Sequence, residues 1–318
     1  MTDTWETKAS MSTNRSQMQA NVVNGKIYLT GGRTGGAYST VNVTEVYDPE
    51  TDSWTTKASI PYPVVSCQSA VIDGKIYIIG GQDEFASPMN LDKTQIYDTV
   101  SNTWSLGAPL PAILTQGAAA ATTGIMAPRR IYVMGGEGGF VEPLNQNYAY
   151  DPQADVWSIG APLPTARYGP AIAVVDDLIY LIGGGGGWGI GITAVERYTP
   201  FGYGLVPSIV SPENNKAYNM NSVPLSFSVS QPTAWTGYSL DGQDSVTVMG
   251  NVTLSGLSYG SHYVTVYANN SAGIACTSET IYFSISQPFP TTWAAAAAIF
   301  TVIVVVAGLV VFFRKRKR

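Results

Sequence analysis

One histidine, two cysteines and a scatter of loop carboxylates are the reactive side chains of this 318-residue chain. With His262 as the only histidine, neither a histidine-based nucleophilic triad nor a multi-histidine metal centre is available. His262 itself is expected to be a strand-surface or half-buried residue. Cys67 and Cys276 fall in segments of different character, so no stabilising disulfide is expected between them. Asp83, Glu84, Glu137 and Glu142 follow paired glycines and offer oxygens suited to Ca²⁺ or to acid/base work on a glycosidic bond. Solvated loop charge is the simpler reading of these four. The paired glycines are not phosphate loops, because no helix follows any of them. Neither a catalytic residue nor a cofactor or metal is expected.

The binding potential lies instead in aromatics. The loop after each glycine pair carries one: Tyr38 in GGRTGGAYST, Phe85 in GGQDEFASP, Phe140 in GGEGGFVEP and Trp188 in GGGGGWGIG. If these loops emerge on one face, the four rings form a rim able to stack on sugars or grip a protein. The competing reading has each ring folded down as a cap on its own sheet.

Composition fixes what must position them. With 33 Gly, 19 Pro, 19 Tyr and 7 Trp against 12% charged residues, the chain reads as many short strands joined by turns. The last five residues, Arg314 to Arg318, are all basic, and the remainder carries 12 basic against 22 acidic groups, a net of −10. A surface of that sign repels phosphate, which argues against a nucleic-acid partner.

One pattern is written four times. Ile27-Tyr28, Ile76-Tyr77, Ile131-Tyr132 and Ile179-Tyr180 lead to Gly31-Gly32, Gly80-Gly81, Gly135-Gly136 and Gly183-Gly184. A loop follows, then a strand ending in Tyr47-Asp48, Tyr97-Asp98, Tyr150-Asp151 or Tyr198-Thr199, and in three repeats Trp54, Trp104 or Trp157. A period of about 50 residues is that of the kelch repeat. NGKIYLTGG, VTEVYDPETDSW and DGKIYIIGG closely resemble the kelch motif, and the resemblance covers residues 1–200. It implies a β-propeller with one four-stranded blade per repeat. The Tyr and Trp supply bulk for burial between blades, each buried Trp worth up to about 5 kcal/mol, and the glycine pairs let backbones approach. Kelch-like copper oxidases need histidine ligands that this chain lacks.

Arg15 and Arg167 stand where the family often places an arginine, but Val64 and Leu114 replace it in repeats two and three, which breaks any shared channel-facing basic ring. Repeat four lacks its Trp strand, while Thr4-Trp5 through Met11 looks like the last strand of a blade. That strand could complete blade four and close a four-bladed ring. The alternative, which we take as the expectation, is the C-terminal portion of a longer propeller, since Met1 to Ser10 has no export signal.

Residues 207–286 follow a different grammar. Val223, Leu225, Phe227 and Val229 alternate with polar partners, as do Val264, Val266 and Ala268, and Ile281, Phe283 and Ile285. Strands at this spacing suggest a two-sheet sandwich with Trp235 in its core. SPENNKAY, WTGYSLDGQ and LSGLSYGSHYVTVYANNSAG resemble immunoglobulin-like stalk domains of prokaryotic, especially archaeal, surface proteins. From Trp293 to Phe313, 21 residues carry no charge, about 31 Å of helix and enough to cross a bilayer. The basic run behind them puts the C-terminus in the cytoplasm.

The sequence therefore predicts an all-β chain: kelch-like propeller blades over 1–200, a linker over 201–206 and an immunoglobulin-like sandwich over 207–286. A juxtamembrane linker at 287–292, a transmembrane helix at 293–313 and a basic cytoplasmic tail at 314–318 complete it. The expected role is non-enzymatic surface adhesion or recognition, with lipid around 293–313 and an extracellular protein or glycan as partner. Sequons at Asn14, Asn42, Asn251 and Asn269 fit an exported surface. An exported carbohydrate-active enzyme and an intracellular kelch scaffold are the alternatives.

Overall fold

Short apolar runs punctuated by Asn-Gly, Asp-Gly and Gly-Gly favour hairpins over helices, and the computed structural model of the chain is built from strands alone among the residues it describes: 3–36, 38–139, 142–187, 189–271 and 275–287. The expected membrane segment 293–313 and tail 314–318 lie outside these residues. Among the described residues no helix is long and apolar enough to cross a membrane. Two compact units divide the chain at Val206 and Pro207.

The first unit holds four antiparallel sheets, one per repeat. Blade one is β1 (Gln19–Val23), β2 (Lys26–Thr30), β3 (Thr44–Asp48) and β4 (Ser53–Thr56). Blade two is β5 (Gln68–Ile72), β6 (Lys75–Ile79), β7 (Thr94–Asp98) and β8 (Thr103–Gly107). Blade three is β9 (Ala118–Ala121), β10 (Ile131–Met134), β11 (Asn147–Asp151) and β12 (Val156–Ile159). Blade four has three strands, β13 (Ala171–Val175), β14 (Leu178–Ile182) and β15 (Val195–Tyr198). Residues 3–11 form no strand, so the N-terminal segment does not complete blade four in this chain.

Each blade buries one face on the next. Tyr28 and Val46 pack with Ile76, Ile78 and Tyr97 between blades one and two. Ile72, Tyr77 and Ile79 pack with Ile131, Val133 and Tyr150 between blades two and three. Tyr132 and Met134 pack with Ile179 and Leu181 between blades three and four. Glycine pairs set this spacing. The amides of Gly32, Gly81 and Gly136 donate to the carbonyls of Val64, Leu114 and Arg167 in the following blade, at 2.8, 2.8 and 2.7 Å.

The expectation for the blade tryptophans is corrected. Trp54, Trp104 and Trp157 are half-buried on the outermost strand of their blades, so they are not the deeply buried anchors expected. They act by stacking on Tyr47, Tyr97 and Tyr150, at ring separations of 5.1, 4.9 and 4.9 Å. Their indole N–H groups donate to Ala9, Ala58 and Ala108 at 2.7, 2.9 and 2.9 Å, the residues by which the chain enters each blade. In blades one and three, Asp52 and Asp155 accept both the entering alanine amide and the tyrosine hydroxyl. Tyr47 and then Ala9 hold the Asp52 carboxyl below its ordinary range.

Arg15 and Arg167 are each held by main-chain carbonyls and a glutamate. Arg15 donates to Gly31 O and Val43 O and pairs with Glu45 at 2.6 Å, with both side chains buried. Arg167 donates to Gly183 O and pairs with Glu196 at 2.8 Å. Where the arginine is absent so is the glutamate: Gln95 and Tyr148 stand at the matching positions of β7 and β11.

The second unit has two sheets about one core. β16 (Ser208–Ser211), β18 (Ser222–Ser228) and β21 (Val252–Ser255) form one. The other runs β17 (Lys216–Tyr218), β24 (Ile281–Ile285), β22 (Gly260–Asn269), β19 (Trp235–Leu240) and β20 (Val246–Val248), with β23 (Ala275–Thr277) also on β22. Val223, Leu225, Leu254, Val264, Val266, Phe283 and Ile285 fill the space between them. Trp235 is outside that core, a correction: it sits at a strand start, half-buried, donating to Thr247 Oγ1 at 2.9 Å.

His262 is also deeper than expected. It is buried, with Nδ1 2.7 Å from Asp241 Oδ2 and Nε2 2.9 Å from Ser258 O. Only the imidazolium donates from both nitrogens. Burial disfavours that charge, but the Ser258 and Asp241 hydrogen bonds and the Asp241 carboxylate outweigh it and raise the pKa above the ordinary histidine value. The stabilisation is full below the unfolded pKa of about 6.5 and is lost as pH rises through the raised folded value. Denaturant midpoints of the second unit should therefore fall as pH rises above about 6.5, and His262→Gln should flatten the profile.

Candidate functional site

Every β2–β3-type connection leaves the same edge of its blade, and its base is pinned twice. Arg33 bridges Ser16 and Thr40, Gln82 bridges Val65 and Asn90, Glu137 bridges Thr115 and Pro143, and Gly185 bridges Tyr168 and Gly191. The loops between these bridges carry the sequence-predicted aromatics. Phe140 and Trp188 lie outside the described residues. Tyr38 and Phe85 are each 65% exposed, with ring centroids 6.4 Å apart across neighbouring loops. Neither lies flat on its own blade as a cap would.

Glu84 fixes this pair. Its side chain extends from the blade-two loop into the blade-one loop, accepting Thr40 Oγ1 at 2.7 Å, Ser39 N at 3.1 Å and Arg33 at 3.2 Å. Burial alone would raise its pKa, but the Thr40 and Ser39 hydrogen bonds and the Arg33 charge hold it below the ordinary range. Glu84 is thus ionised and committed to joining loops, one residue before Phe85 and reaching the residues after Tyr38. Sequence spacing gave no sign of this staple, because its partners lie 44 to 51 residues away.

Glu142 is exposed, while Asp83 and Glu137 are engaged within their loops. Asp83 accepts the Phe85 amide at 3.0 Å and Glu137 accepts Gln116 Nε2 at 2.6 Å. Among the described residues no group of three or more His, Cys, Asp or Glu side chains is arranged to hold a metal ion. The arrangement is an edge bearing two exposed rings on loops joined through Glu84, suited to stacking and apolar contact.

The glycosylation sequons are distributed over both units. Asn14 and Asn42 are exposed. Asn251 is exposed but its Oδ1 accepts the Phe227 amide at 3.0 Å, and Asn269 is half-buried at the end of β22.

Comparison with known proteins agrees with the repeat architecture. Residues 1–187 match the family described as the Attractin/LZTR1 beta-propeller. Mouse (Mus musculus) Kelch-like protein 35 is 33% identical over 94 residues, 30% of this chain and 16% of that protein. Aspergillus terreus Kelch-like protein terF is 34% identical over 100 residues, 28% and 20% of the two chains. Mouse Kelch-like protein 36 is 28% identical over 184 residues, 57% and 29%. The chain thus spans less than a third of the length of each of these relatives.

Proposed function

We propose that this chain, which belongs to the Attractin/LZTR1 β-propeller family, is a non-enzymatic recognition protein whose first unit presents the Tyr38–Phe85 edge to a protein or glycan. The carrying observation is that pair: two rings 6.4 Å apart, largely exposed, on loops joined by a half-buried carboxylate. Exposed aromatics on pinned loops lose little conformational freedom on binding, which is what makes such residues effective anchors. Phe140 and Trp188, from the equivalent loops, extend the rim in this reading.

The setting we propose is a cell surface. Residues 293–313 cross the membrane once and 314–318 face the cytoplasm, as their hydropathy and charge support. The second unit acts as an immunoglobulin-like spacer of the archaeal surface-protein kind, supported by its two-sheet core. In printed glycan and peptide arrays probed with the full chain in detergent, Tyr38→Ala/Phe85→Ala should lower binding by about ten- to a hundredfold. Wild-type binding by that variant would refute the recognition reading.

A further inference from the structure

The edge that carries Tyr38 and Phe85 is also charged. Between their pinned bases the four loops, 33–40, 82–90, 137–143 and 185–191, hold one basic residue, Arg33, against four acidic ones, Asp83, Glu84, Glu137 and Glu142, a net of −3. Arg33 is already paired with Glu84, 3.2 Å away. The other three carboxylates face neutral donors or solvent. Asp83 accepts the Phe85 amide at 3.0 Å, Glu137 accepts Gln116 Nε2 at 2.6 Å, and Glu142 is exposed.

These charges adjoin the rings. Asp83 lies two residues before Phe85 and caps its amide. The blade-three loop reaches the same place: a Cβ on Gly139 would lie 2.3 Å from Nδ2 of Asn90, whose Oδ1 accepts Gln82 Nε2 at 3.0 Å within the loop of Phe85. Blades two and three each have a neighbour on both sides within the chain, so the charge of their loops does not depend on what adjoins blade one or blade four.

The opposite edge of the same blades is built differently. There the aspartate ending the third strand meets a cation at the start of the second: Asp48 with Lys26, Asp98 with Lys75 and Asp151 with Arg130. Only the loop edge combines exposed rings with carboxylates that await a countercharge.

An aromatic ring is negative on its faces and attracts a cation lying within about 6 Å of its centroid. With centroids 6.4 Å apart, Tyr38 and Phe85 leave positions where one ammonium or guanidinium is within that reach of both. Carboxylates alongside draw the same cation and turn anions away. A neutral sugar stacked on the rings would leave those carboxylates without a partner, and an acidic ligand would be repelled.

We infer that this edge, on the recognition reading above, takes a basic protein segment, with one lysine or arginine seated on the two rings and its basic neighbours facing Asp83, Glu137 and Glu142. The test uses short labelled peptides identical except for lysine, glutamine or glutamate at the same positions, and a labelled neutral oligosaccharide, each titrated with the full chain in detergent. The lysine peptide should bind at least about tenfold tighter than the glutamine peptide. Raising salt from about 0.05 M to about 0.3 M should shrink that ratio severalfold. Asp83→Asn/Glu137→Gln/Glu142→Gln keeps a side-chain carbonyl at each position, and should bring the two peptides within about twofold of each other at an unchanged melting temperature. Glu50→Gln, exposed in the β3–β4 turn at the opposite edge, should leave the ratio as it is. A lysine peptide bound no better than the glutamine peptide, a preference for the glutamate peptide or the oligosaccharide, or a lysine preference that survives the triple substitution would overturn the inference and leave the recognition reading standing. Parental binding of the lysine peptide by Tyr38→Ala/Phe85→Ala would instead overturn that reading and the inference with it.

Discussion

Replacing Gly80 with alanine should destabilise the first unit by about 3 kcal/mol or more, a large part of the 5–15 kcal/mol typical of a domain. Two costs combine. Gly80 has φ of +60°, where an L-residue costs about 1–2 kcal/mol. Its Cβ would also lie 2.3 Å from the Leu114 carbonyl oxygen, inside any tolerable contact. That carbonyl accepts the Gly81 amide at 2.8 Å, so backing away breaks the main-chain link between blades two and three. Gly25 supplies the control. It has φ of +74° with nothing within 4 Å of a Cβ, so Gly25→Ala should cost only the conformational part, about 1 kcal/mol. Denaturant unfolding followed by tryptophan fluorescence reads both; equal losses would show that blade spacing does not depend on the glycine.

The second large effect belongs to the buried ion pair of blade one. Glu45→Ala strands the Arg15 guanidinium in an interior that has removed its water, which should cost about 3–5 kcal/mol. Gly31 O and Val43 O remain as its acceptors but carry no countercharge. Blade two shows how the same position works without charge. Val64 replaces the arginine there, and Gln95 accepts the Tyr62 amide at 2.8 Å and donates back to Tyr62 O at 3.1 Å. Arg15→Val/Glu45→Gln should accordingly recover most of the loss, to within about 1–2 kcal/mol of the parent. Strict additivity of the two single losses would refute the coupling.

These cases mark how much the sequence disclosed. The four repeats, their Ile-Tyr strands and their glycine pairs were legible because local pattern dictates them: alternation for a half-buried strand, glycine for a positive φ. The carboxylate partners of Arg15 and Arg167 were not, because Glu45 and Glu196 lie 30 and 29 positions away on a different strand, and nothing along the chain links them until the blade folds. The same holds for Glu84, whose role depends on the loop of another blade. Trp54, Trp104 and Trp157 misled in the opposite direction: size and spacing implied deep burial, whereas the outermost strand leaves each indole half in solvent and puts its N–H to use at the entrance to its own blade. Tyr38 and Phe85 were singled out by their setting in glycine-rich and polar loops, but their proximity follows from the packing of two blades and the Glu84 staple. Phe140, Trp188 and the apolar run 293–313 lie outside the described residues, and their roles rest on sequence.

The recognition surface is most directly tested by comparing opposite edges of the same blades. Binding to the arrays and the melting temperature should be measured together for the full chain, for Tyr38→Ala/Phe85→Ala, and for Val100→Ala, an exposed residue in the β7–β8 turn at the far edge. The account predicts lost binding with an unchanged melting temperature for the first variant, and parental values for the second. A double variant that binds like the parent, or that loses several degrees of stability because its rings cap their blades after all, would contradict it.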